Sequence, residues 1–184
     1  MSESVKQDMF TVSQSGAMKH PILETAIPEV TLRELTERDA HVYFELVQRN
    51  REHLTQFGDY KELVSLTLWD IEVDFANRPD DKVRMGIWRK AELMGRIDLS
   101  SVALGAFVLG YWIGSEYLGK GYVTAGCSAL LDYGQKALGA TEYWAGVPHG
   151  NTKSAAVLER VGFSAVERLE YHTRFYMPAY QSDD

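Results

Sequence analysis

Apolar and polar residues alternate from Val30 to Leu35, which predicts a β-strand. Thr36 follows, with Asp39 three residues on, the pattern of a reciprocal N-terminal helix cap, and Leu35 and Ala40 stand where a hydrophobic staple packs. Ala40, Tyr43, Phe44 and Val47 then recur at helical spacing, as on the buried stripe of an amphipathic helix. A second helical patch covers roughly 51–56. Thr67 to Asp70 repeats the cap, and Leu68, Ile71 and Phe75 continue one face until Arg78-Pro79-Asp80-Asp81 interrupts it.

The period then changes. Val83–Trp88 and Leu93–Leu99 predict two strands of a hairpin around a polar turn, Arg89 to Glu92. Ala106–Ile113 predicts a third strand, reached through Ser100 to Gly105, so the three form an antiparallel meander. Val123, Cys127, Leu130, Leu131, Gly134 and Leu138 mark a helix that Gly139 ends. Glu142–Val147 is the next strand. Asn151 caps a short helix with Ala155, Leu158 and Val161 inward and Gly162 as its stop. Phe163–Val166 and Tyr171–Met177 predict a closing hairpin. Strand 106–113, the helix after it and strand 142–147 make one βαβ unit, so the expected class is α/β (α+β) with a mixed, mostly antiparallel sheet and a parallel pair at its centre. Residues 1–20 lack sustained periodicity and are expected to be a flexible extension, with one domain over 21–184.

Between strand and helix lies a glycine loop, Gly114-Ser115-Glu116-Tyr117-Leu118-Gly119-Lys120-Gly121-Tyr122. Strand, glycine loop and helix start together make a phosphate cradle, because glycine admits a ligand close to the backbone and the first N–H groups of a helix are unpaired. A nucleotide-hydrolysing loop needs Ser or Thr after its lysine to hold Mg²⁺, and Gly121 stands there instead. A dinucleotide fingerprint needs a third glycine where Thr124 stands, and a first strand that is not part of a meander.

Composition narrows the setting. The net charge of −7 disfavours nucleic-acid and anionic-membrane partners. One cysteine, Cys127, excludes an internal disulfide framework and a cysteine-rich metal site, and its position in a helical stripe marks it as packing rather than nucleophile. No apolar run approaches the roughly 20 residues of a membrane span. A cytoplasmic enzyme or binding protein is the expectation.

Tyr117-Leu118-Gly119-Lys120-Gly121-Tyr122 resembles the acetyl-CoA pyrophosphate loop of the Gcn5-related N-acetyltransferase (GNAT) superfamily. The segment Asn151-Thr152-Lys153-Ser154, with Gly162-Phe163 after it, resembles that superfamily's Asn-x-x-Ser helix, and thirty residues separate Gly121 from Asn151. Together with Gly110-Tyr111-Trp112, the text is most similar to the RimJ/RimL-like branch, which acetylates ribosomal-protein N-termini. The element order agrees from about Val30 to Met177.

The resemblance implies a GNAT fold whose sheet splays after the central strand, acetyl-CoA as cosubstrate and no metal. It implies direct attack of a primary amine, on a protein N-terminus or a small molecule, with no covalent enzyme intermediate. Trp112, Ile113 and their neighbours would offer backbone contacts to the pantetheine arm. Leu118, Gly119, Lys120, Gly121 and Tyr122 would hold the pyrophosphate, with Asn151 and Ser154 beside the arm. Ser154 is the candidate acid for the departing sulfur. Asp98 and Glu116 are the first candidates for the base, with His149, His172 and Tyr176 behind them. Glu116 departs from the family's usual Gln or Arg, so its side chain is expected to point away from the phosphates. Trp88 and Trp112 are candidate walls of the acceptor pocket, and Phe57, Gly58 and Tyr60 its lip. The rival reading is a CoA-binding sensor or a family member without catalysis. The branch resembled makes a homodimer an option.

Overall fold

The computed structural model describes residues 19–77 and 79–179. The expected extension therefore lies almost wholly outside the described residues. At its end, Lys19 pairs with Asp80 at 2.9 Å and the His20 ring meets the Tyr133 hydroxyl at 3.0 Å.

The described chain runs β1 (Leu23–Glu24), β2 (Val30–Glu34), α1 (Ala40–Arg49), α2 (Arg51–Thr55), α3 (Lys61–Ser65), α4 (Leu68–Ala76), β3 (Lys82–Arg89), β4 (Glu92–Ala103), β5 (Ala106–Ile113), α5 (Tyr122–Leu138), β6 (Glu142–Pro148), α6 (Thr152–Val161), β7 (Ser164–Arg168) and β8 (His172–Pro178). The strands form one eight-stranded sheet in the order β1-β2-β3-β4-β5-β6-β8-β7. Neighbours are antiparallel except β5 and β6, which are parallel. This is the mixed sheet with a central parallel pair that the βαβ pattern predicts.

Both Thr-x-x-Asp starts are capping boxes. Asp39 Oδ2 accepts from the Thr36 N–H at 2.9 Å, and Asp70 Oδ2 from the Thr67 N–H at 2.8 Å. Each box fixes where the chain leaves an extended path and turns helical.

Alternate residues of a strand face opposite layers. Arg96 of β4 donates to the Tyr43 hydroxyl of α1 at 3.0 Å, and Trp112 of β5 meets the Tyr43 ring edge-on at 5.6 Å. The other face packs on α5, whose Cys127 and Leu130 are fully buried. Small residues let α5 approach: a Cβ on Gly134 would lie 2.7 Å from the Tyr143 hydroxyl and 3.0 Å from Leu99 Cδ1.

Four elements depart from the sequence pattern. β4 runs to Ala103, so the stretch read as a connection is strand, and the turn before β5 is only Leu104 and Gly105. Ser100 and Ser101 are weak strand formers, but pairing with Val108 and Phe107 holds them. α3 and β1 span five and two residues, too few to show a period. β7 starts one residue after the predicted strand and runs two further, and all five of its residues are exposed, so nothing alternates.

Alanine favours a helix interior over glycine by about 1 kcal/mol. At Gly134 the added methyl meets a hydroxyl already fixed to the Leu131 carbonyl at 2.6 Å, and overpacking of this kind costs about 1–3 kcal/mol. Gly134→Ala is therefore expected to lower stability by ~1 kcal/mol net, seen as a lower urea midpoint with an unchanged denaturant slope.

Candidate active site

The site begins where β5 and β6 part. Their parallel register holds only for Ala106, Phe107 and Val108 against Glu142, Tyr143 and Trp144. β5 continues to Ile113 and β6 to Pro148, and a wedge opens between them. On its far side β5 stays paired with β4 as far as Ile113.

A strand residue sends its N–H and C=O to the same edge, and the next residue sends its pair to the other. The Gly114 N–H donates to the Met94 carbonyl of β4 at 2.8 Å, so Trp112 also faces β4. Tyr111 and Ile113 face the wedge. Their carbonyls are covered from the helical layer: the Tyr60 hydroxyl donates to Tyr111 O at 2.7 Å, and His53 Nε2 donates to Ile113 O at 3.1 Å. The N–H groups of the same two residues are left directed into the wedge. The resemblance assigns the backbone contacts to Trp112, Ile113 and their neighbours. The strand parity instead sets Tyr111 beside Ile113, and Trp112 contributes a buried indole to the cavity wall.

The wedge holds a cavity of about 240 Å³. Its floor is β5 from Leu109 to Ile113, and one wall is β6 from Ala145 to Pro148. α6 closes one side and the loop between α2 and α3 the other. That loop carries Gln56, Phe57, Asp59 and Tyr60 into the lining, which places Phe57 and Tyr60 of the expected lip. Tyr60 adopts a left-handed φ of 56°, an uncommon state for a bulky residue, held by its bond to β5.

Ser154 and Tyr111 meet across the wedge. The Tyr111 hydroxyl lies 2.8 Å from Ser154 Oγ and 3.0 Å from the Ser154 carbonyl. Burial raises the Tyr111 phenol well above its ordinary value of 10.0, so the pair keeps its protons. Asn151 Oδ1 accepts from the Ser154 N–H at 3.1 Å, so Asn151 caps α6 and sets Ser154 in place.

Beyond Leu118 the cavity opens into a groove of about 1,150 Å³ between the start of α5 and the side of α6. Gly119 and Gly121 have φ of +74° and +77°, the left-handed turns that present backbone N–H groups to the groove. No atom lies within 4 Å of where a Gly119 Cβ would be, so the loop faces open space. Tyr122 lines the groove beside them. The Lys120 ammonium folds back to the Glu116 carbonyl at 3.3 Å, while Lys153 and Arg160 of α6 line the groove.

The two carboxylates expected as bases stand elsewhere. Asp98 is buried under α1, between Arg96 Nε at 3.3 Å and Lys82 Nζ at 3.6 Å, and it is not among the cavity-lining residues. Glu116 turns from the groove to Arg49 at 3.0 Å. Burial pushes its carboxyl up, but its own backbone hydrogen bond and Arg49 outweigh this and hold it below the usual range. The inward acid that the loop sequence made awkward is thus neutralised on the far side of the turn. His149, His172 and Tyr176 are outside the cavity lining as well, and among the described residues no cluster of His, Cys, Asp and Glu could hold a metal.

Residues 29–164 match the acetyltransferase (GNAT) domain. The chain belongs to the GNAT acetyltransferase family. A Bacillus subtilis (strain 168) protein named as a putative ribosomal N-acetyltransferase, YdaF, is 30% identical over 141 residues, covering 73% of this chain and 77% of its own. Mycobacterium smegmatis RimJ, solved with CoA-disulfide, superposes with a TM-score of 0.72 at 26% identity, covering 86% of each chain. The ribosomal L7/L12 α-N-protein acetyltransferase RimL, solved with coenzyme A, has a TM-score of 0.76 and covers 86% of this chain and 98% of its own; at 18% identity it speaks to fold alone.

Acetyl-CoA fits the residues present. The left-handed Gly119–Gly121 loop and the open N–H groups at the start of α5 suit a pyrophosphate, and Lys153 and Arg160 supply charge. The two open N–H groups of β5 suit the amide-bearing arm. His53, Asp59 and Tyr111 were not singled out from sequence, because their place depends on strand parity and on a loop without a period.

An alanine forced into a left-handed φ costs about 1–2 kcal/mol. Gly121→Ala is expected to let the free loop relax out of its left-handed turn, so that the strain is met only on binding: coenzyme A affinity falls about tenfold in calorimetry, with only a small loss of thermal stability.

Proposed function

We propose that this GNAT enzyme transfers the acetyl group of acetyl-CoA directly to a primary amine, with the wedge between β5 and β6 as the reaction site. The observation that carries this reading is the Tyr111–Ser154 hydrogen bond across a cavity that joins the phosphate groove. Acetyl-CoA supplies the acyl group activated as a thioester. The Tyr111 and Ile113 N–H groups bind the arm and give a developing oxyanion a fixed donor at the wedge. Ser154, in the first turn of α6, sits at the positive end of that helix, where negative charge on a departing sulfur is stabilised. The Ser154 hydroxyl, backed by the Tyr111 phenol, holds a proton for that sulfur.

The C–N bond forms as the C–S bond breaks, the nitrogen releases a proton and the sulfur takes one up. No residue needs to become covalently attached, which suits Cys127, fully buried with its thiol pushed far up by burial. YdaF, RimJ and RimL support an acceptor amine of the ribosomal-protein N-terminal kind. Among the described residues no helix is long and apolar enough to cross a membrane, and a reduced, buried thiol suits a cytoplasmic setting.

Ser154→Ala is expected to lower kcat about 100-fold while the dissociation constant for coenzyme A changes less than threefold. The wild-type pH profile is expected to show no falling limb from Tyr111 below about pH 10, because a raised phenol stays protonated there. An unchanged kcat in Ser154→Ala removes Ser154 from the chemistry and leaves it as a helix-start serine.

A further inference from the structure

The acceptor end of the cavity has a charge pattern that the acetyl-transfer reading does not use. Among the described residues lining the cavity, Asp59 is the only carboxylate. It stands on the loop between α2 and α3, beside Phe57 and Tyr60. This is the opposite side from α6, whose Lys153 also lines the phosphate groove. No described cation lies within ion-pairing distance of the Asp59 carboxylate, and it holds no side-chain partner that would occupy it. Burial raises its carboxyl above the ordinary value, against the pull of its own backbone N–H and of the nearby His53 ring. A half-buried carboxylate without a cation is costly unless something cationic visits it.

The loop is built to hold that carboxylate still. Tyr60 is tied to β5 through its hydroxyl, and His53 is tied through Nε2 with its Nδ1 on the Gln56 amide at 3.1 Å. With Nε2 donating and Nδ1 accepting, the His53 ring offers no proton to a ligand. The Phe57 ring reaches across to the turn before α6, 3.8 Å from where a Gly150 Cβ would lie. Asp59 is therefore the one carboxylate of the described cavity lining, and the one lysine there, Lys153, stands across from it on α6.

We propose that Asp59 receives the acceptor as its ammonium and selects amines that carry no carboxylate beside the nitrogen. This rests on the acetyltransferase reading. A peptide N-terminus, an amino-acid amide or an alkylamine presents a net positive end to Asp59. A free α-amino acid brings its own carboxylate to within a few ångströms of Asp59, while the one lysine of the cavity lining, Lys153, stands on the α6 side. The ammonium must lose one proton to expose its lone pair. A second leaves nitrogen as the amide forms, the sulfur regains one, and one proton passes to solvent through the open mouth of the cavity.

The test is steady-state acetylation of L-alaninamide and L-alanine by the wild-type chain, Asp59→Asn and Asp59→Glu, with coenzyme A binding measured by calorimetry on each. The two amines differ in basicity, but comparing wild type with Asp59→Asn on both cancels that difference. The expected result is at least a tenfold fall in kcat/KM for alaninamide in Asp59→Asn, partial recovery in Asp59→Glu, and at least a fivefold loss of the preference for alaninamide over alanine, with coenzyme A affinity within twofold of wild type. An alaninamide-to-alanine ratio that is the same in wild type and Asp59→Asn overturns the proposal, and so does turnover of neither amine by wild type. Loss of coenzyme A binding in wild type would instead strike the acetyltransferase reading itself.

Discussion

Backbone N–H and C=O groups taken from water must find partners, and the parting of β5 from β6 after three paired residues is where this sheet fails to supply them. Everything at the site answers that one shortage. The carbonyls of Tyr111 and Ile113 are satisfied by Tyr60 and His53 from the helical layer. That strap fixes the loop that forms one wall of the cavity. α6 fills the other flank of the wedge and reaches Tyr111 through Ser154. The N–H groups remain, and a ligand with amide groups of its own is the natural complement. The cleft is thus a missing piece of sheet, not a hole cut in a finished core.

An acidic chain that binds a polyanion must sort its charges locally. The net charge is −7, yet the groove beside the glycine loop has Lys153, Arg160 and the open start of α5. The acid in the loop, Glu116, is turned outward and paired with Arg49. Asp98 is kept beneath α1 with Arg96 and Lys82, and removing Asp98 leaves the Arg96 guanidinium buried without its carboxylate, at a cost of about 3–5 kcal/mol. These two carboxylates secure the strand and the loop on which the site is built. Asp59 is left facing the cavity, at the end away from the phosphates.

Much of this was legible in the sequence. The capping boxes at Thr36 and Thr67, the ends of β5 and the stops at Gly139 and Gly162 are local signals, and local chemistry decides them. The βαβ unit and the pair of motifs around Gly121 and Asn151 gave the fold and the family. What failed to show was non-local. Whether Tyr111 or Trp112 faces the wedge is set by which residues of β4 and β6 pair with β5, a parity that periodicity along one strand cannot reveal. Tyr60 was legible as part of the lip, but Asp59 and His53 acquire their meaning only because this segment is strapped to a strand about fifty residues later, as the Tyr60–Tyr111 separation of 51 shows. The cations of the groove come from α6, not from the glycine loop, because the Lys120 side chain folds back on its own turn.

The central claim is that the open edge of β5 binds the arm of the cosubstrate. Amide hydrogen exchange resolved at single residues, with and without coenzyme A, tests it most directly. The Tyr111 and Ile113 amides should exchange much faster than the Gly110 and Trp112 amides that face β4 in the free protein, and should slow at least tenfold once coenzyme A is bound. Exchange at Tyr111 and Ile113 that stays unchanged under saturating coenzyme A, with protection confined to the Gly119–Gly121 loop, would contradict the account.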